Sequence, residues 1–262
     1  MQPESPRPSD RPFKVGVTIQ PQHCTIRELR DAWLRADELG VDSIWIWDHF
    51  FPIFGDPGGD HYECWSLLAA AAIETRAPQI GPMVACVGYR NPDLLASIAG
   101  TVDQLSGGRL VLGLGAGWFQ RDYVEYGYEF GEAKDRVRLL KEMIPRLKGR
   151  LAKLRPAPAG PMPILIGGGG EKVVLRLAAE HAQLWNGTGT PDEFAAKSRV
   201  LDEWCRRLGR DQREIERTAN VSPMSMRVAD EWLKAGLQHF VLRFGFPFDP
   251  KPLARLVKLR DA

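Results

Sequence analysis

Residues 162–185 read Met-Pro-Ile-Leu-Ile-Gly-Gly-Gly-Gly-Glu-Lys-Val-Val-Leu-Arg-Leu-Ala-Ala-Glu-His-Ala-Gln-Leu-Trp. The run 162–166 has the length and apolar character of a strand buried on both faces. The glycines end it, and Val173, Val174, Leu177 and Ala178 then recur at helical steps through 171–181 before a second apolar run at 182–185. A strand, a tight turn, a helix and a further strand in so short a span spell one parallel β/α unit.

The same alternation extends in both directions. Upstream, strands are predicted at 13–20, 42–47, 80–85 and 109–114, with helices at 25–39, 62–76, 92–105 and 132–148 between and after them. In the first helix Ile26, Leu29, Trp33 and Ala36 form one apolar stripe and Gly40 ends it; Pro145 is expected to bend the last turn of the fourth. Downstream come a helix at 191–207, a strand at 215–221, a short helix at 226–236, a strand at 239–243 and a helix at 250–259. Eight β/α units result, the number that closes a (β/α)8 TIM barrel, which commonly needs about 250 residues. A doubly wound open sheet would place its Gly-rich turn after the first strand, and no such glycines stand there. Residues 1–11, rich in Pro and Ser, read as a disordered leader, and 12–262 as a single barrel domain.

The formal net charge of +2, with no Lys/Arg block, argues against a nucleic-acid partner. No apolar run approaches a membrane span. Cys24, Cys64, Cys86 and Cys205 lie too far apart for a zinc motif and read as reduced thiols of a cytoplasmic protein, so no metal site is expected.

Barrel chemistry is expected where strands end. The second strand ends Trp47-Asp48-His49-Phe50 beside a long Gly/Pro/Asp loop at 50–60. Asp48 and His49 are suited to bonding a cofactor ring or relaying a proton; the alternative is a turn cap and a structural histidine. The third strand's end, with Met83, Val84 and Ala85, is suited to a wall behind a planar ring or is simply a buried strand. Gly113-Leu114-Gly115-Ala116-Gly117-Trp118 strips side chains from the backbone, for a ligand's approach or for a tight turn. Gly167, Gly168, Gly169 and Gly170 would free N–H groups at a helix N-terminus for a phosphate, or would serve as a hinge.

Taken together, Trp47-Asp48-His49-Phe50, the third-strand segment with Arg90-Asn91-Pro92, the 113–118 stretch continuing to Tyr126-Gly127, and Pro163-Ile164-Leu165-Ile166-Gly167-Gly168-Gly169-Gly170-Glu171-Lys172 resemble the luciferase-like monooxygenase superfamily, and within it the oxidoreductases that use coenzyme F420. The resemblance runs in order from residue 13 to 186 and is faint beyond. It implies a cofactor across the barrel mouth, backed by a bulge with a non-proline cis peptide at Met83-Val84. It places Asp48 and His49 near the deazaflavin ring, His49 as proton donor or relay, with Asp48 holding its tautomer or bonding the ring. Gly115, Ala116, Gly117, Trp118 and Gly167 to Gly170 would hold the ribityl chain and its phosphate.

Two departures matter. Trp118 stands where the sugar-phosphate dehydrogenases of the superfamily carry a glutamate, and Ile53 where they carry an aromatic residue, so glucose 6-phosphate is not the expected substrate. The segment 150–161 and the quarter after Val221 are short relative to relatives, implying a reduced lid over an open site or one completed by a partner subunit. The expected activity is hydride transfer between F420 and a small organic substrate. The alternatives are an FMN-dependent monooxygenase and a flavin or deazaflavin carrier without turnover. A homodimer is expected from the superfamily. Trp33, Trp204 and Trp232 on helices suit an interface or, more simply, the core.

Overall fold

The computed structural model describes residues 11–222 and 229–262. Nine parallel strand segments form one sheet: β1 (Lys14–Ile19), β2 (Ser43–Ile46), β3 (Gln79–Pro82), β4 (Ala85–Cys86), β5 (Leu112–Gly115), β6 (Ile164–Gly167), β7 (Leu184–Gly187), β8 (Glu216–Val221) and β9 (His239–Phe244). Their order, β3-β2-β1-β9-β8-β7-β6-β5-β4, becomes a closed ring because β4 continues β3 beyond a cis Met83-Val84 peptide. A parallel bridge between Ile80 and Leu110 ties β3 to the approach of β5. The nine segments thus fill the eight staves of a (β/α)8 barrel. The predicted third strand, 80–85, is split at the cis bond; the other strands stand within two or three residues of their predicted bounds.

The helices are α1 (Ile26–Glu38), α2 (Cys64–Glu74), α3 (Pro92–Ser106), α4 (Gln120–Glu125), α5 (Ala133–Leu151), α6 (Val174–His181), α7 (Pro191–Leu208), α8 (Ala229–Lys234) and α9 (Lys251–Arg260). On α1, Leu29, Ala32, Trp33 and Ala36 are buried against the barrel, and Thr25 and Glu28 close a reciprocal capping box. Such a cap contributes about 1 kcal/mol. Asn91 caps α3, and Gly107 ends it at φ 68°, a left-handed geometry that favours glycine. α5 runs past Pro145 to Leu151, three residues beyond the predicted end. α4 was not predicted. Of the expected leader, residues 1–10 lie outside the described residues. Arg11 is anchored, its Nη1 2.9 Å from Asp42 Oδ1. Of the short helix predicted at 226–236, residues 226–228 also lie outside them.

The segment 152–163 corrects a further expectation. It follows α5 and leads into the start of β6, so it lies at the end of the barrel where strands begin, not over the mouth. There the buried Asp103 accepts the Ala159 and Gly160 N–H groups at 2.7 and 3.0 Å. Of the expected short segment 150–161, Arg150 and Leu151 close α5 and the rest belongs to this connection, so its shortness does not shape the mouth.

Trp45, Val111, Leu165, Leu184 and Val241 fill the barrel axis with Met83 above them. Beneath lies a buried polar chain. Trp45 Nε1 donates to Ser43 Oγ at 2.6 Å, Ser43 Oγ lies 2.9 Å from His239 Nε2, and His239 Nδ1 lies 2.7 Å from Glu216 Oε1. Lys14 Nζ closes the chain on Glu216 Oε2 at 2.6 Å. Burial pushes the Glu216 carboxyl up, but the bonds and charges of His239 and Lys14 outweigh it and hold the pKa down at about 2. Gly16 makes room for this clamp, since a Cβ there would overlap Ser43 Oγ.

Candidate active site

The C-terminal ends of the strands open on a cavity of about 320 Å³, within the range that holds a small-molecule cofactor or substrate. Asp48, His49, Met83, Val84, Gly115, Ala116, Gly117, Trp118, Gly167 and Gly168 line it, so ten of the thirteen residues singled out in the sequence meet in one place. Ala85 does not: it is fully buried in the core. Gly169 and Gly170 also stand outside the lining.

A larger depression of about 520 Å³ opens at the opposite end, where Phe13, Lys14, Glu216 and Gln238 mark the starts of strands. Its charged wall is already paired through Lys14 and Glu216. In parallel barrels that end carries stability rather than chemistry.

The glycines also make room for neighbouring side chains and backbone. A Cβ on Gly113 would strike the Pro82 carbonyl oxygen, one on Gly115 the Val84 side chain, and one on Gly117 the Tyr123 hydroxyl and Cys86 Sγ. Gly117 also has φ 79°. Gly167 faces Val84 as well: a Cβ there would stand 3.0 Å from a Val84 methyl. The clearance thus seats Val84 and the cis bulge, and Met83 and Val84 form the shelf of the cavity.

Nor do Gly167 to Gly170 open a helix N-terminus. α6 begins at Val174, three residues later than predicted, with a turn at 171–173 between. The Gly168 N–H is spent on the Asn186 carbonyl at 3.1 Å. Lys197 passes beside Gly169 and pairs with Glu171 at 2.6 Å.

Asp48 and His49, adjacent in the chain, have separate partners. Arg90 grips Asp48 with two bonds, Nη1 to Oδ2 at 2.6 Å and Nη2 to Oδ1 at 2.9 Å, and the Cys86 N–H adds a third at 3.0 Å. Burial raises the Asp48 pKa and Arg90 opposes that rise. Asp48 is therefore a clip between the ends of β2 and β4, and it does not hold the His49 tautomer as the resemblance implied. His49 Nδ1 instead lies 2.6 Å from Oδ2 of Asp122, carried by α4. Trp47, Trp118 and Phe119 stand edge-on to the imidazole at 6.1, 5.7 and 5.5 Å between ring centroids. Trp118 itself is 61% exposed at the rim.

Opposite His49 the wall is polar. Asn186 Nδ2 donates to Thr218 Oγ1 at 2.9 Å, and Thr18 Oγ1 donates to Asn220 Oδ1 at 3.1 Å. Asn186, Thr188 and Asn220 border the cavity, as do Cys86 and Tyr89 on the other side. From sequence, Asn186, Thr188, Asn220 and Tyr89 carry no role, and Cys86 reads only as a reduced thiol at the third strand's end. Burial pushes the Cys86 thiol up to about 11, which makes it a neutral wall rather than a nucleophile.

The architecture is that of the parallel (β/α)8 barrels, with an apolar shelf, an amide wall and the His49 imidazole at the mouth. The chain belongs to the luciferase-like monooxygenase family, whose profile matches residues 11–261. It is 33% identical over 180 residues to an F420-dependent glucose-6-phosphate dehydrogenase of Amycolatopsis mediterranei, a match covering 62% of this chain and 53% of that protein. It is 28% identical over 222 residues to a 5,10-methylenetetrahydromethanopterin reductase of Archaeoglobus fulgidus, covering 80% of this chain and 64% of the relative. The chain thus spans between half and two-thirds of the length of these curated relatives. Among solved structures, an F420-dependent secondary alcohol dehydrogenase in complex with an F420-acetone adduct superposes with a TM-score of 0.82 at 17% identity, over 94% of this chain and 97% of that one.

Proposed function

We propose that the protein is an oxidoreductase that binds coenzyme F420 at the barrel mouth and moves a hydride between it and a small organic substrate. The observation that carries this reading is the meeting, in one cavity, of the Met83-Val84 shelf, the glycine-bordered strand ends and the His49 imidazole. The F420-dependent relatives and the alcohol dehydrogenase fold support it.

The residues suit a planar heterocycle. Met83 and Val84 would back the ring, and the Asn186 and Asn220 amides would answer the polar edge of its pyrimidine portion. Gly115, Ala116, Gly117 and Gly168 border the space where the ribityl chain would leave. When bound, the deazaflavin supplies the carbon that accepts or donates hydride. His49 is the proton-handling group at the cavity wall, with Trp47, Trp118 and Phe119 edge-on around it.

Fluorescence titration with F420 and with FMN tests the cofactor. Saturable F420 binding, tighter than FMN by at least about tenfold, is expected, with turnover on a panel of alcohols, enones and nitroaromatics. Tight FMN binding with oxygen consumption would establish a monooxygenase instead, and binding without any turnover a carrier.

The same reading extends to assembly and compartment. α2 is apolar nearly all round, and its outward Ile73 is 68% exposed beside a groove lined by Trp65, Ala69, Ile98 and Val102. This face supports a homodimer, which sedimentation velocity checks; a monomer at micromolar concentration would remove it. The four free, buried cysteines support a reducing compartment, the cytoplasm, and a fractionation assay decides it. No helix among the described residues is long and apolar enough to cross a membrane.

A further inference from the structure

His49 is held at one ring nitrogen and open at the other. Asp122 has no solvent exposure. Its Oδ1 accepts the N–H groups of Phe50 and Phe51 at 3.0 and 3.2 Å, and its Oδ2 faces His49 Nδ1 at 2.6 Å and accepts the Tyr89 hydroxyl at 2.9 Å. A carboxylate surrounded by donors can only accept. Burial pushes the Tyr89 phenol above its ordinary range, so the hydroxyl keeps the hydrogen it donates. The hydrogen of a neutral His49 ring therefore sits on Nδ1, which leaves the lone pair on Nε2. That nitrogen has no hydrogen-bond partner among the described residues, and the ring borders the cavity.

Among the described residues, the neighbouring titratable groups His61 and Asp48 are engaged elsewhere. Burial, reinforced by the nearby His49, lowers His61 to about 4, and its Nε2 already accepts the Trp47 indole N–H at 3.3 Å. Asp48 is taken by Arg90.

We propose that Asp122 is a positioning residue for proton transfer: by fixing the hydrogen on Nδ1 it presents His49 Nε2 to the cavity as a proton acceptor. This inference rests on the hydride-transfer reading above. With an alcohol as substrate, Nε2 would take the hydroxyl proton while a bound oxidised deazaflavin would accept the carbon-bound hydrogen with its electron pair, leaving a carbonyl. Asp122 then stabilises the imidazolium, and in the reverse direction Nε2 returns the proton.

The test is a long-range proton–nitrogen NMR spectrum of cofactor-free protein carrying 15N-histidine, at about pH 8, where free imidazole is neutral. In the wild type, His49 Nδ1 is expected to show the protonated-type shift and Nε2 the imine-type shift. Asp122→Asn keeps an oxygen for Phe50 and Phe51 but turns an amide N–H toward Nδ1, which should move the hydrogen to Nε2 and invert the two signals. In that variant kcat should fall about 100-fold or more, with KM and the F420 Kd within about threefold of wild type. A wild-type spectrum with the hydrogen on Nε2 overturns the proposal, and needs no variant to fold. An uninverted spectrum in a folded Asp122→Asn protein overturns it too, as does inversion without loss of kcat. His49→Ala separates the two levels: if it retains turnover, the reading of His49 as proton carrier fails whatever the tautomer proves to be.

Discussion

The barrel holds two buried histidine–carboxylate pairs, one at each end, with nearly equal separations: His49 and Asp122 at 2.6 Å at the mouth, His239 and Glu216 at 2.7 Å at the floor. What differs is the second nitrogen. His239 Nε2 is closed by Ser43, which is itself bonded by Trp45, and the ring has no exposure. His49 Nε2 has no hydrogen-bond partner among the described residues, and the ring borders the cavity. The floor arrangement even has the order serine, histidine, acid, yet its hydroxyl is locked by an indole and unreachable by any substrate. Pairing with a carboxylate says little about chemistry; the freedom of the remaining nitrogen decides it.

The sharpest way to break this contrast is to remove each imidazole in turn. His49→Ala is expected to reduce kcat by about 10²- to 10⁴-fold, the usual worth of a general acid–base group, while leaving Tm almost unchanged. His239→Ala should do the reverse, lowering Tm and sparing the turnover of the folded fraction. A His239→Ala protein that folds as well as wild type but has lost turnover would contradict the division of labour.

Next in size is the clip that separates Asp48 from His49. Arg90→Met leaves the Asp48 carboxylate buried with one backbone donor, and should destabilise the protein by about 3–5 kcal/mol in urea unfolding. A change below about 1 kcal/mol would mean that Asp48 finds water or another cation, and would restore it as a group able to act on a ligand.

The floor pair offers a smaller, pH-dependent effect. The Glu216 pKa is depressed in the folded state, from an ordinary 4.5 to about 2. Its contribution is therefore complete above about pH 5 and is lost as pH falls toward 2. Glu216→Gln should lower stability near neutrality by about 2–3 kcal/mol and flatten the acid limb of a Tm-against-pH curve. An acid limb as steep as the wild type's would assign that sensitivity to other carboxylates.

How much of this was legible in the sequence follows the same division. The periodicities that make strands and helices are local, so all eight staves were readable, as was the end of α1 at Gly40. The His49 partner was not. Asp122 lies 73 residues away on a six-residue helix with an ordinary polar sequence, and only barrel closure brings it to the imidazole. Of the two roles the resemblance gave Asp48, holding the His49 tautomer is not what the structure shows, because successive residues at a strand end point in different directions and Arg90 takes the carboxylate. Arg90 was quoted only as part of a motif; a guanidinium at the end of an apolar strand is a signal that a buried carboxylate needs a partner. Thr218 and Asn220, two apart on β8, and Asn186 near the end of β7 also left a trace, as polar residues towards strand ends, where side chains face the barrel interior near its rim. The glycine stretches left two uses side by side, because an emptied backbone looks the same whether a ligand or a neighbouring side chain fills it.

The valine shelf has a consequence for how such a protein can vary. Val84 projects from one stave into hollows left by glycines on two others, so positions 84, 115 and 167 behave as a key and its lock. A methyl added at Gly115 should be damaging alone and tolerated once Val84 is cut back to alanine, because the smaller key vacates the volume the new group needs. Anyone reshaping the bed for a different ring would have to redraw three strands at once.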